Sequence, residues 1–147
     1  MKRLFFIPLI GALTLALGAY LLEGGNILLL FQITAALGTY GLTFVMLLTQ
    51  YSPSEMGKAF SAAVKGGTAK ELKISLTYFG TMQRLAIVSG LFMPALGCIH
   101  IGMNTSEISK ITGFLIALLM VSILYSLSIM LFITIPFSGA IKKRMVE

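Results

Sequence analysis

The sequence predicts an all-α membrane protein with four transmembrane helices, on the basis of its composition, its apolar runs and the placement of its charges. Hydrophobic residues make up 57% of the 147 residues and charged residues only 11%, and the mean hydropathy is +0.96. Because a soluble domain usually carries about 25% charged residues, this composition argues against a water-soluble globule.

Four apolar runs are long enough to cross the hydrocarbon core of a bilayer, for which a helix needs about 20 residues. They cover about residues 4–22, 27–49, 85–103 and 111–137 of a single transmembrane domain, 1–147. The fourth run is longer than the core requires, so we expect it to tilt or to project from the membrane. The first run also resembles a signal peptide, but it continues to Leu22 without a polar break, which favours an uncleaved helix.

The positions of Lys and Arg predict the orientation of these helices. If both ends of the chain are in the cytoplasm, ten of the eleven cations lie on the cytoplasmic side and only Lys110 lies outside. This distribution follows the positive-inside rule and predicts a multi-pass membrane protein with both ends in the cytoplasm. The outer connections are short, so we expect the first two helices and the last two helices to form antiparallel hairpins.

Residues 50–84 are the predicted cytoplasmic segment, and they contain two helix-start signals. Ser52 and Glu55 form one S/T-x-x-E capping box, with Pro53 at the first helical position, and Thr68 and Glu71 form a second box. The first box predicts an amphipathic cytoplasmic helix that lies at the inner membrane surface and ends at Gly66-Gly67. The second predicts a helix that continues into the third membrane helix. The apolar face of the amphipathic helix is formed by Met56, Phe60, Ala63 and Val64.

Five residues within the membrane helices are candidates for a role in ion passage or gating. Pro94 and Pro136 each remove a backbone donor, which produces either a static kink or a moving hinge. Ser122 and Ser126 lie on one face of the fourth helix and either line a wet path or only serve packing. His100 either relays protons near neutral pH or is a hydrogen-bonded packing residue.

Small residues in the third apolar run predict close packing against a neighbouring helix. Ala86, Gly90, Pro94 and Gly97 follow a spacing close to small-xxx-small, which lets two membrane helices approach each other.

The sequence contains no catalytic constellation, no His, Cys and acid cluster for a metal, and no phosphate-binding loop. We therefore expect neither an enzyme nor a cofactor, and the lone Cys98 excludes an internal disulfide. Cations gather at the ends of apolar runs and not on a basic face, which argues against nucleic acid. The four apolar runs also lack a carboxylate, so the acid of an ion path would have to come from somewhere else.

Four motifs, in order along the chain, resemble the MotA/TolQ/ExbB family, and MotA-type flagellar stator subunits most of all. The first runs from Gly18 to Asn26 and contains the structural turn Glu23-Gly24-Gly25. The second is Tyr51-Ser52-Pro53 with the amphipathic stretch that follows it. The third is Pro94-Ala95-Leu96-Gly97, and the fourth runs from Ala117 to Ser126 and ends in Pro136.

The resemblance implies a location in the bacterial inner (cytoplasmic) membrane. It also implies a homo-oligomer, a pentameric ring around a single-span partner whose membrane Asp binds the permeating ion. It implies that Pro94 and Pro136 correspond to the two functional prolines of the family. The expected function is therefore a stator-like subunit that couples proton or sodium flux to mechanical work, as in a flagellar motor. The alternative is a non-conducting scaffold of the same fold, which is favoured by the short cytoplasmic link and by Ile123 where the family has Thr. A small-molecule transporter lacks support, because no inverted repeat or polar midplane site is visible.

Overall fold

The computed structural model describes residues 2–103 and 108–146, and within these two ranges all regular structure is helical. A 3₁₀ turn at Ile27–Leu30 precedes α2, and π-helical turns occur at Leu37–Gly41 inside α2 and at Met130–Thr134 between the last two helices. The helices are α1 (Lys2–Leu22), α2 (Ile33–Leu48), α3 (Pro53–Lys65), α4 (Ala69–Met103), α5 (Ile108–Ile129) and α6 (Ile135–Val146).

Several of these helices are long and apolar enough to cross a membrane. Three stretches qualify by themselves: Phe5–Leu22 in α1, Ala69–His100 in α4, and Leu119–Val146 in α5 and α6. Helices α2 and α3 qualify only together, and the axis bends by 103° between them. The described part of the chain is thus helical, with three candidate membrane spans, or four when the bent pair is counted, and its orientation stays a prediction.

The second helix begins later than predicted. Residues 27–32, which the sequence assigned to this helix, form the 3₁₀ turn and a short extended segment, and α2 starts at Ile33. The side-chain oxygen of Asn26 accepts a hydrogen bond from the Leu28 amide at 2.9 Å, which stabilises the tighter turn. The Gln32 amide donates to the Tyr125 hydroxyl, which in turn donates to the Leu30 carbonyl. Because this distant side chain satisfies both backbone groups, they do not need the hydrogen bonds of a continuous helix.

Glu23-Gly24-Gly25 forms the turn that ends α1. The Gly25 amide donates to the Tyr20 carbonyl and the Gly24 amide donates to the Leu21 carbonyl, each at 3.0 Å, in the pattern of a Schellman motif. Gly24 has a φ of +80°, which a residue with a side chain rarely adopts. A Cβ on Gly25 would lie 2.5 Å from the Tyr20 ring, so the second glycine is required by space.

Both predicted capping boxes form. At the start of α3, the Ser52 hydroxyl accepts from the Glu55 amide at 3.3 Å, and the Glu55 carboxylate accepts from the Ser52 amide at 2.8 Å. The hydrogen bond from the Ser52 amide, followed by that from its hydroxyl, lowers the pKa of the Glu55 carboxyl below its ordinary value. Thr68 and Glu71 make the same bonds at the start of α4, which continues without a break to Met103, as predicted.

The apolar face of α3 packs against other helices of the chain. Met56, Ala59, Ala62 and Ala63 are buried, in contact with α4 and α6. Amphipathicity alone does not distinguish a lipid surface from a protein surface, so these protein contacts were not predicted, and the position of α3 at the inner membrane surface stays a prediction. The contact is completed by an aromatic cluster formed by Phe5, Phe60, Tyr78, Phe79 and Phe137.

The aromatic cluster also accounts for the length of the fourth apolar run. Phe137, at the end of that run, is 7% exposed and stacks on Phe79 with the ring centres 5.5 Å apart. The Phe60 ring of α3 meets both rings edge-on, at 5.1 Å and 5.2 Å. The last residues of the run are therefore apolar because they lie under α3, and the tilt or projection of the run from the membrane stays a prediction.

Arg144 fastens the end of α6 to the end of α3, and its removal should loosen α3. The guanidinium donates to the Val64 carbonyl at 2.8 Å, at the helix end where a cation is favourable. We expect Arg144→Gln to cost about 1–2 kcal/mol, which corresponds to a roughly 5–30-fold rise in amide hydrogen exchange across α3. The exposed Lys73→Gln removes an equal charge from α4, outside the contact between α3 and α6, and should leave this exchange unchanged. Equal increases in the two variants would show that charge, and not the hydrogen bond, is responsible.

Candidate functional site

Helices α4 and α5 form an antiparallel pair in which small residues and hydroxyls meet. A Cβ on Gly90 would lie 2.3 Å from the Ser126 Cβ and 2.8 Å from its hydroxyl oxygen. The Ser126 hydroxyl donates to the Ala86 carbonyl at 2.8 Å. Further along the pair, a Cβ on Gly97 would lie 2.3 Å from the Leu119 side chain. The close packing predicted for the small residues of α4 is therefore confirmed at these glycines.

A row of buried hydroxyls, which we call the hydroxyl seam, runs where α2 packs between α4 and α5. Its members are Thr39, Thr43, Ser89, Ser122 and Ser126, none of which is more than 5% exposed. The Thr39 hydroxyl lies 3.4 Å from the Ser122 carbonyl, and the Thr43 hydroxyl donates to the Thr39 carbonyl at 2.7 Å. Among the described residues, no buried side-chain nitrogen or oxygen lacks a hydrogen-bond partner. The seam thus joins the helices through bonds to backbone carbonyls.

Two tyrosines that the sequence analysis did not single out extend this polar contact. The rings of Tyr40, in the π turn of α2, and Tyr125, in α5, stack with centres 5.0 Å apart. The Tyr40 and Ser128 hydroxyls are 2.7 Å apart. The Tyr125 hydroxyl accepts from the Gln32 amide at 3.0 Å and donates to the Leu30 carbonyl. The sequence signal that could have identified them is the presence of phenol groups within apolar runs, because a buried tyrosine hydroxyl usually makes a hydrogen bond.

Removal of the Tyr125 hydroxyl should loosen the segment that precedes α2. In Tyr125→Phe the Leu30 carbonyl and the Gln32 amide lose their common partner, and each unsatisfied buried group costs about 1–3 kcal/mol. We expect faster amide hydrogen exchange in residues 27–32, with little change in the aromatic cluster. Tyr20→Phe is the matched control, since the Tyr20 hydroxyl makes only a 3.4 Å contact with the Asn26 carbonyl. If amide hydrogen exchange in residues 27–32 were equally fast in the two variants, the Tyr125 hydroxyl would not be what stabilises this segment.

His100 and Ser122, two of the predicted site residues, line a common groove. Its volume is about 250 Å³, and it lies where α2, α4 and α5 meet. Thr34 supplies a further hydroxyl, and the remaining lining is apolar: Ala35, Met93, Leu96, Gly97 and Leu119. Ser122 is 3% exposed whereas His100 and Thr34 are exposed, so the groove reaches from the buried seam to the surface. Ser126 lies in the seam and is not among the residues that line this groove.

The two predicted proline sites differ in their backbone. Pro94 is half-buried within α4, which remains helical on both sides of it. Pro136 follows the π turn, in which the Ile135 amide donates to the Met130 carbonyl, five residues earlier. A wider turn accommodates a proline that has no amide and whose ring would crowd the preceding turn. The irregular backbone is therefore at Pro136, which identifies it as the better candidate for a hinge.

The described residues contain no group of three or more His, Cys, Asp and Glu side chains that could hold a metal ion. The acidic residues of the chain are Glu23, Glu55, Glu71, Glu107 and Glu147, and none belongs to the four apolar runs. Glu107 and Glu147 lie outside the described residues. Chemically, the groove can offer a hydroxyl and an imidazole to water or to another chain, but it has no acid of its own.

No protein-family model matches this chain, and no curated protein or solved structure is significantly similar to it.

Proposed function

We propose that this chain is a stator-like ion-channel subunit of a bacterial inner membrane, forming a homo-oligomeric ring around a single-span partner. The proposed complex couples proton or sodium flux to mechanical work. The observation that carries the proposal is the groove that His100 and Ser122 both line, in a chain whose apolar runs have no carboxylate. Polar groups at membrane depth are functional candidates, and without an acid they can form only part of an ion path. The coupling to work rests on the resemblance in sequence to the MotA/TolQ/ExbB family.

The proposed path runs between chains and not through one chain. The Ser126 and Thr43 hydroxyls of the seam already donate to backbone carbonyls, and Gly90 holds α4 tightly against α5. Unlike the buried seam, the groove is accessible from outside the chain, because Thr34, Leu96 and His100 in its lining are exposed. An apolar partner helix with a carboxylate could lie there, opposite the imidazole and the hydroxyls.

The second candidate is a non-conducting scaffold that holds a partner in the membrane. The same hydrogen bonds favour it, since hydroxyls that bond to carbonyls hold helices together without any water path. A scaffold and a channel predict the same assembly but opposite results in a flux measurement.

Native mass spectrometry of the full chain, purified in mild detergent from the membranes of its own organism, tests the assembly. We expect several copies of this chain with fewer copies of a single-span protein that carries a membrane Asp. A protein that stays monomeric in every gentle detergent would overturn the ring.

Proton uptake into vesicles that contain the purified complex tests conduction. We expect uptake under an imposed membrane potential, a marked loss in Ser122→Ala, and loss of flux with retained assembly in Pro94→Leu. Thr14→Ala is the control, because Thr14 is exposed on α1 and donates only to the Ile10 carbonyl of its own helix. Assembly without any partner-dependent uptake would favour the scaffold, and full uptake in Ser122→Ala would remove Ser122 from the path.

A further inference from the structure

Helix α1 fixes the level of the membrane in this fold. None of the residues from Phe5 to Leu22 is buried by the rest of the chain, and their mean hydropathy is 2.1. Such a surface is stable only inside the hydrocarbon layer, so the layer begins close to Phe5. The sequence places Lys2 and Arg3 immediately before it.

The contacts of Phe5 show which residues of the other helices lie at the same depth in the membrane. Its ring meets the Phe137 ring of α6 edge-on at 5.1 Å, and Phe137 stacks on Phe79 of α4 at 5.5 Å. Lys142 and Lys143 follow Phe137 by five and six residues, or about 8–9 Å along the helix. The headgroup region on each side of a bilayer is about 5–8 Å thick, so these two lysines are at its depth or just beyond it.

The hydrogen bond from Arg144 to the Val64 carbonyl brings a third lysine, Lys65, to the end of α6 that carries Lys142 and Lys143. Lys65 follows Val64 directly and is exposed, as are Lys142 and Lys143. We call these three lysines the basic patch. Arg84 is exposed five residues deeper than Phe79, about 7–8 Å, and its long side chain can extend towards the same layer. The nearby carboxylates of Glu55 and Glu71 are occupied in the capping boxes and face Lys58.

We propose that the basic patch, Lys65, Lys142 and Lys143, binds the headgroups of anionic phospholipids and thereby holds the α3–α6 contact at the membrane surface. The occupant follows from charge and depth: the patch is cationic and lies at headgroup level. Residues 50–84 and 138–147 together contain eight cations and three acids, so the surroundings add to the attraction. Each basic residue near an anionic surface strengthens this attraction.

The test measures thermal unfolding of the full chain in a neutral detergent while phosphatidylglycerol or phosphatidylcholine is added. We expect phosphatidylglycerol to raise the unfolding midpoint at lower concentration, and high salt to remove the difference. In Lys65→Gln/Lys142→Gln/Lys143→Gln, the concentration of phosphatidylglycerol that produces the same rise in the unfolding midpoint should be roughly tenfold higher or more. Lys58→Gln/Lys70→Gln/Lys110→Gln removes the same charge outside the patch and should raise this concentration far less.

Three outcomes would overturn the proposal. Equal responses to the two lipids would show that the patch does not recognise charge. An equal loss in the control variant would assign the effect to net charge. A larger shift with inorganic phosphate or soluble polyglutamate than with phosphatidylglycerol would mean that the patch serves a free anion or an acidic protein. Because the measurement uses neither the ring nor ion flux, its result is independent of the proposed function.

Discussion

Gly90→Ala should destabilise the chain by about 1–3 kcal/mol, the usual cost of overpacking a close contact. The added methyl group would lie 2.3 Å from the Ser126 Cβ, 2.8 Å from its hydroxyl oxygen and 3.4 Å from the Ser122 carbonyl oxygen. Neither the Ser126 Cβ nor a backbone oxygen is the free end of a flexible side chain, so α4 and α5 must move apart. That movement would break the hydrogen bond from Ser126 to the Ala86 carbonyl.

Gly80→Ala is the matched control, in the same helix. A Cβ on Gly80 has no atom within 4 Å, so alanine should stabilise α4 by its higher helix propensity, about 1 kcal/mol. The two variants should therefore unfold on opposite sides of the unsubstituted protein, about 2–4 kcal/mol apart, in thermal unfolding followed by circular dichroism. If Gly90→Ala were as stable as Gly80→Ala, Gly90 of α4 would not be in close contact with Ser126 of α5.

The helices could be predicted from the sequence because their signals are local. Apolar runs of sufficient length gave α1, α4 and α5, and the residues of each capping box lie within four positions of one another. The start of α2 could not be predicted, because it depends on Tyr125, which is 93 residues away from Gln32. The protein contacts of α3 could not be predicted for a similar reason: its partners, Phe79 and Phe137, are distant in sequence.

The candidate site could be predicted in part. The sequence singled out His100 and Ser122 as polar groups in apolar runs, and they line one groove. It grouped Ser122 with Ser126 by their spacing, but the spacing does not reveal that Ser126 bonds to the Ala86 carbonyl of another helix. The π turns were also beyond prediction, since the pattern of apolar residues barely changes when one turn of a helix widens.

Phe79→Ala should have the largest effect, because it removes the centre of the aromatic cluster. Phe79 is 0% exposed, stacks on Phe137 and meets Phe60 and Tyr78 edge-on, at 5.1 Å and 5.2 Å. Truncation of a buried phenylalanine costs about 3–5 kcal/mol. A 13-residue helix such as α3 is marginal by itself, so we expect it to detach before the membrane helices separate. Trypsin should then cleave after Lys58 and Lys65 under conditions that leave the unsubstituted protein intact.

Phe92→Ala separates this effect from a general loss of apolar surface. Phe92 lies in the same helix but is 51% exposed, so its truncation leaves no cavity inside the chain. We expect its unfolding midpoint to stay close to that of the unsubstituted protein, without new cleavage in α3. If both variants lost equal stability, or if Phe79→Ala left α3 resistant to trypsin, the cluster would not be what holds α3. The detachment of α3 would also carry Lys65 away from Lys142 and Lys143, so Phe79→Ala should weaken the response to phosphatidylglycerol although it changes no charge.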